Sequence, residues 1–377
     1  MALFYINKRK FCKYRISGQE ERSILMSVTK SLFGKTEAGQ EVSVYRLQNR
    51  EGSYIEVLDF GAILRSVVVP DKDGNMTDVV LGYDSVAGYE NGTCFFGATI
   101  GRSGNRIAGG TFEINGVTYQ MAQNENGNNL HSGPDGYEKR IWEVKEIREE
   151  ENSVTFALNS PDKDQGFPGN FDILVKYEMS EANEVIIHYM GRSDQDTVAN
   201  LTNHSYFNPQ GHDSGSNSEI LLKINADFYT PVADSASIPT GELAPVQGTP
   251  MDFTEEKAIG KEINADFEQL KFTGGYDHNY VLNGYEKGIE RVIAKAYAPK
   301  TGIAMEVTTD LPGVQFYAAN FVENEHGKNG AVYGKRSAFC LETQYFPDSI
   351  NQKNFESPIL ERGETYNTVT IYRFSVE

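Results

Sequence analysis

The chain has 377 residues and a formal net charge of −18, with 39% hydrophobic and 23% charged residues. So negative a field repels the polyanionic backbone of nucleic acid and the acidic face of a membrane. No run of about 18 apolar residues offers a membrane-spanning helix, which leaves a neutral small molecule as the partner class that fits.

The first 26 residues carry Lys8, Arg9, Lys10, Lys13 and Arg15 but lack the apolar stretch of a secretory signal. They read as a leader or extended N-terminus, with Met26 as an alternative start and 27–377 as the folded part. From residue 42 onward, short runs of Val, Ile, Tyr and Phe alternate with polar residues and stop at turn clusters. Val42–Leu47, Ile55–Phe60 and Leu64–Val69 are the first of these strands, the last closed by Pro70. Phe112–Ile114 and Val117–Tyr119 flank Asn115-Gly116, a dipeptide suited to the type I′ turn of a hairpin. Ile173–Met179 and Val185–Met190 bracket one polar turn, Val292–Ala298 and Ile303–Val307 another, and Val369–Phe374 ends the series.

Helical periodicity is confined to Phe253–Leu270, where one or two short helices are expected. Length alone, at roughly 150 residues per domain, suggests two domains, but no linker or repeat divides the chain. Many short strands without interleaved helices imply an all-β, mainly antiparallel sandwich or barrel in one domain. Cys12, Cys94 and Cys340 form no disulfide framework and have no zinc-finger spacing, so a reducing, cytoplasmic setting is expected.

Several chemistries lack their motifs. There is no HExxH, no phosphate-binding GxxxxGK[ST], no GxGxxG in a βαβ setting and no GxSxG. Acid–base chemistry by carboxylate and imidazole remains. His204, in LTNHSYFN, shares a strand face with Tyr206 if that run is extended. A ring titrating near neutrality beside a phenol suits a proton donor to an ether oxygen, although a core histidine bonded to backbone would read the same way. Glu342, in AFCLETQ, lies on the strand face of Cys340 and Gln344, opposite the core-facing Phe339 and Leu341. A carboxylate in an apolar strand is costly to bury unless paired or used, and desolvation would sharpen it as a base; a salt-bridged glutamate is the alternative.

The other polar candidates are weaker taken singly. Asp277 and His278 sit in GGYDHNY, where an ordinary turn aspartate is equally possible. His131 precedes a turn in NNLHSGPDG and reads as a surface histidine. Arg106, in GRSGNRIAGG, is either a hydrogen-bonding fork for hydroxyls or a solvated charge. Gln315, in PGVQFYAAN, shares a face with Tyr317 and has an amide to offer. His188 reads as structural, and His212 and His326 as loop residues.

Taken together, GRSGNRIAGG, NNLHSG, NHSYFN, YDHNY, PGVQFYAANF, GKNGAVYGKRSAFCLETQ and PDSINQ resemble the aldose 1-epimerase family, in its order and approximate spacing, from about Ser31 to the C-terminus. The resemblance implies a large antiparallel β-sandwich with an open cleft, acting without metal or cofactor on a free aldose. By that likeness Glu342 takes the proton from the anomeric hydroxyl and His204 protonates the ring oxygen. Asn105, Arg106, His131, Tyr206, Asp277 and Gln315 hold the sugar. A monomer or weak homodimer is expected.

Ordinary pKa values of about 4.3 and 6.5 would leave Glu342 ionised and His204 partly protonated near neutrality, with Asp277 raising the histidine further. The acidic limb of the pH–rate profile would then belong to the glutamate and the alkaline limb to the histidine. The two side chains are expected on opposite sides of the bound ring. Three rivals stand beside this reading: an epimerase of phosphorylated hexoses, which wants a basic cluster; a sugar-binding protein without catalysis; and a glycoside hydrolase using Glu342 and Asp277 as its two carboxylates.

Overall fold

A computed structural model describes residues 27–377, and the basic segment 1–26 falls outside the described residues. Strands dominate, and the larger sheets are antiparallel throughout. The first is a five-stranded meander in chain order: Ser27–Lys35, Glu41–Gln48, Tyr54–Leu58, Leu64–Pro70 and Met76–Asp78. The second has nine strands. Glu143–Arg148, Ser153–Ser160, Phe171–Met179 and Glu184–Ser193 follow one another, and the C-terminal strand Thr365–Val376 is then inserted between Glu184–Ser193 and Ile303–Thr309.

Alternation explains this sheet. In Phe171–Met179 the residues Phe171, Ile173, Val175, Tyr177 and Met179 are buried and their neighbours face outward. Val185, Ile187 and Tyr189 do the same in the paired strand. Each fully buried aliphatic side chain contributes about 1.5–3 kcal/mol, so a one-residue slip of register would expose the whole set.

The third sheet runs Ala244–Pro245, Phe228–Tyr229, Asp277–Val281, Gly313–Tyr317 and Cys340–Gln344. Its inner face joins the other two in one core, in which Leu47 and Val57, Val175 and Ile187, and Val314 and Leu341 belong to the same cluster. A second cluster, with Leu58, Phe96, Ile100, Tyr206, Tyr317 and Cys340, underlies the candidate site.

The expected hairpin forms as Thr111–Ile114 and Val117–Gln120. Asn115 and Gly116 have φ of 53° and 77°, the pair of positive values that a type I′ turn requires. The helical expectation is met in part by a 3₁₀ turn at Ile259–Lys261 and an α-helix at Glu268–Thr273, which ends on Gly274 in the left-handed region. A second short helix, Val86–Asn91, has no sequence periodicity to announce it. Ser85 caps its start by accepting from the Gly88 N–H, and the Lys139 ammonium donates to the carbonyls of Tyr89, Glu90 and Gly92 at its end. Among the described residues no helix is long and apolar enough to cross a membrane.

Candidate active site

A cavity of about 520 Å³ is lined by Asn105, Arg106, His131, His204, Tyr206, Asp277, Gln315 and Glu342, together with residues the sequence did not single out, among them Phe95, Glu125, Tyr317 and Phe321. Each side chain arrives by a local route. His204 ends the strand Thr202–His204, paired with Ala98–Ile100. Its carbonyl accepts from the N–H of Gly97, whose φ of 69° and close approach to the Leu64 carbonyl leave no room for a Cβ. Just beyond, Phe207 and Phe339 exchange backbone hydrogen bonds of 2.7 and 2.9 Å, which ties the histidine segment to the strand of Glu342. In the third sheet Gln315 pairs across with Glu342, and Asp277 with Tyr317.

His204 Nε2 and Glu342 Oε2 stand 3.7 Å apart, and both side chains are buried. No pyranose fits between atoms so close, so the expected placement on opposite sides of the ring is not what the structure has. Atoms this close can serve O1 and O5 of an aldose together, because both oxygens are bonded to the same carbon. The Tyr206 ring stacks on His204 at a centroid distance of 5.1 Å, and the Cys340 sulfur lies 3.7 Å from His204 Nδ1.

Burial shifts both groups away from the expected charge states. It raises the Glu342 pKa well above the ordinary carboxylate value, and Asp277 adds to the rise while Arg106 opposes it. It brings His204 down to about 4. Asp277 therefore acts on the glutamate rather than lifting the histidine, and both shifts favour the neutral forms of a pair that stands at ion-pair distance. Glu342 Oε2 has no hydrogen-bond partner among the described residues; a buried carboxyl oxygen left open is costly unless something else fills its place.

His131 is buried rather than superficial. Its Nδ1 accepts from the Asn105 N–H at 3.2 Å, while its own N–H donates to the Asn105 carbonyl at 3.0 Å. Burial, with the nearby charges of His204 and Arg106, holds its pKa well below the usual value. The neutral ring thus carries its proton on Nε2, as a hydrogen-bond donor. His131, His204 and Glu342 offer ligand atoms within 4.8 Å of one another, a spacing that a metal could exploit. The donor chemistry does not fit, because one nitrogen of His131 is occupied and the other is protonated.

Asn105 lines the cavity, accepts the Arg106 N–H on its side-chain oxygen and leaves its NH₂ donors without a bond to the described residues. Arg106 grips Glu125 through Nε and Nη2, at 3.1 and 3.2 Å, and leaves Nη1 without a bond to the described residues. Asp277 accepts from Gln315 Nε2 at 2.7 Å. Its sequence neighbour His278 points to the other face of the strand, against Tyr229, where burial takes its pKa to about 3. His188 is half-buried on the outward face of its strand. His212, expected in an open loop, is buried and bonded to the Tyr333 hydroxyl at 2.9 Å.

Phe95 gave no signal in CFFGATIG, where it reads as core. In the structure it is left-handed, with φ of 57°, and its ring lies 4.9 Å from His131 and 5.7 Å from His204. Asn105 and His131 are left-handed as well, at 56° and 52°. Three strained non-glycine residues around one cavity are typical of a functional site. Glu125 sits in a polar loop with nothing in its surroundings to distinguish it.

Comparison with known proteins places this geometry. A family model described as aldose 1-epimerase matches residues 43–373. The chain is 40% identical to galactose mutarotase of Homo sapiens over 354 residues, covering 93% of this chain and 100% of that protein. It is 36% identical to aldose 1-epimerase of Escherichia coli (strain K12), covering 90% and 97% respectively. Among solved structures, galactose 1-epimerase from Lactobacillus acidophilus NCFM matches with a TM-score of 0.80 at 26% identity, over 93% of this chain and 99% of that one.

Proposed function

The chain belongs to the aldose 1-epimerase family, and from that membership we propose that Glu342 and His204 interconvert the α and β anomers of a free aldose such as galactose or glucose by moving one proton each. The enzyme is an isomerase acting on carbohydrates. The observation that carries the assignment is the 3.7 Å approach of a buried imidazole to a buried carboxyl group with an open oxygen, inside a cavity of about 520 Å³.

In ring opening the Glu342 carboxylate takes the O1 proton, the C1–O1 bond becomes a carbonyl, the C1–O5 bond breaks, and protonated His204 delivers its proton to O5. The pair holds one proton before and after. It ends as neutral glutamic acid and neutral imidazole, the partition that burial favours. Rotation about C1–C2 turns the other face of the aldehyde to O5. Closure then returns both protons, each group reversing its role. A placed acid or base typically supplies roughly 10²–10⁴ in rate, sufficient for a reaction that water already performs slowly. His131 Nε2–H, Arg106 Nη1 and the Asp277 carboxylate offer two donors and an acceptor to the hydroxyls.

A phosphorylated substrate is disfavoured because, among the described residues, Arg106 is the one lysine or arginine lining the cavity, and it is committed to Glu125. The two described cysteines, Cys94 and Cys340, are free thiols, which supports a cytoplasmic setting. Polarimetry on freshly dissolved α-D-galactose and α-D-glucose tests the assignment. Accelerated decay of optical rotation is expected, and its absence for every common aldose would overturn it. Phenol release from an aryl glycoside would point to hydrolysis instead.

A further inference from the structure

Behind the cavity, three buried amides stand in adjacent strands: Asn279, Gln315 and Gln344. Gln344 is fully buried and does not line the cavity. Its Nε2 donates to Gln315 Oε1 at 3.3 Å and to Asn279 Oδ1 at 3.1 Å, and Gln315 Nε2 donates in turn to Asp277 Oδ1 at 2.7 Å.

The direction is fixed by the end facing the sugar. Gln315 turns its NH₂ toward the Asp277 carboxyl and its carbonyl away, so whatever meets that carbonyl must donate. Space has been left for the arrangement. Gly313 pairs across with Gln344, and a Cβ on it would stand 2.6 Å from Asn279 Oδ1.

We propose that Gln344 is a positioning residue that sets the amide orientation of Gln315 and through it holds Asp277 as the hydrogen-bond acceptor for the bound sugar. This rests on the reading of Asp277 and Gln315 as sugar-holding residues. Hydrogen bonds in a dry series polarise one another, and the loss of one at the far end frees the next amide to turn. A turned Gln315 presents a carbonyl to the Asp277 carboxylate, two acceptors face to face, and the sugar loses a fixed partner. The proton transfers at O1 and O5 lie outside the series, so the effect falls on binding.

The test is steady-state polarimetry with freshly dissolved α-D-galactose. Gln344→Met keeps the volume and removes the donor; KM should rise roughly tenfold with kcat within about threefold, the size expected for one lost hydrogen bond to a charged group. Gln344→Leu, a second replacement without a donor, should raise KM by a similar factor. KM does not depend on how much of the sample is folded, so a partly unfolded preparation still answers, and one variant serves where the other fails to fold. In a Gln315→Met background, Gln344→Met should add nothing to KM. A normal KM in both Gln344 variants beside a raised one in Gln315→Met overturns the relay alone, as does a fall in kcat or melting temperature with KM unchanged. A normal KM in Gln315→Met overturns the reading of the site and the relay with it.

Discussion

Two buried stretches of strand in this molecule obey opposite rules. In Phe171–Met179 the inward positions are Phe, Ile, Val, Tyr and Met, and the polar residues between them face outward. In Cys340–Gln344 all five residues are buried, and three of them are Glu342, Thr343 and Gln344. Both strands are antiparallel and well paired, so the backbone does not distinguish them. The first stabilises the fold by removing apolar surface from water. The second forgoes that gain on one face and leaves Glu342 Oε2 and Gln344 Oε1 without partners. Stability is given up in one sheet and supplied in another, a division that suits the proposed proton transfer.

The largest effect that would break this contrast comes from Glu342→Gln. The amide cannot accept the O1 proton, and kcat should fall by roughly 10²–10⁴ or more. The fold should gain by the same change. The folded-state pKa of Glu342 lies well above its unfolded value, so its contribution to stability is fully present below the unfolded pKa and is lost as pH rises through the folded one. The variant should therefore melt higher than the parent at pH 8, with the difference shrinking toward pH 4. Equal melting temperatures at pH 8 would mean that the carboxyl is not desolvated.

Next in size is the pH dependence of kcat/KM. In the proposed mechanism the working pair holds one proton. Below about pH 4 His204 is protonated alongside the neutral acid, and at high pH Glu342 loses the last proton. The acid limb should thus fall near 4 and follow the histidine, while the alkaline limb follows the glutamate, the reverse of what ordinary pKa values predict. His204→Asn should remove the acid limb along with most of the rate. An acid limb near 6.5 in the parent enzyme would show that water reaches the imidazole.

Much of this was legible in the sequence, for reasons that can be named. Period-two alternation reveals which strands face a core, and Asn115-Gly116 forces its hairpin, so the all-β antiparallel reading required only local physics. The glutamate stood out because it interrupted an apolar strand pattern, and the histidine because it shared a strand face with Tyr206 in a polar and aromatic run. Their charge states did not, because a pKa in a dry cavity depends on what surrounds it, and that is assembled from segments 138 residues apart, counting from 204 to 342. Phe95 was hidden for a related reason. Its conformation is imposed by tertiary packing, and an aromatic beside another aromatic reads as core. Glu125 and the helix Val86–Asn91 were hidden by being short and locally ordinary.

On the other side of the comparison, Ile187→Ala truncates a fully buried residue of the nine-stranded sheet. A loss of about 2–5 kcal/mol is expected from the cavity it leaves, read as a lower midpoint in urea. KM and the pH limbs should not move at temperatures where the protein stays folded. A shifted acid limb in this variant would mean that the core and the site are coupled, and that the two rules above are not separable.

The smallest effect sharpens the same separation. Gly116 lies at the tip of the hairpin with φ of 77° and nothing within 4 Å of where a Cβ would stand. Gly116→Ala therefore meets no steric obstacle, and its cost is conformational alone, about 1 kcal/mol for a side chain held in the left-handed region. The neighbouring Asn115 takes a positive φ more readily than alanine would, as asparagine does in turns, and its amide also reaches Asp196 at 2.7 Å. The variant should melt slightly lower with unchanged kcat, KM and pH profile. A change in KM would be the informative failure, since it would mean that the tip of the hairpin communicates with a cavity that the hairpin does not line.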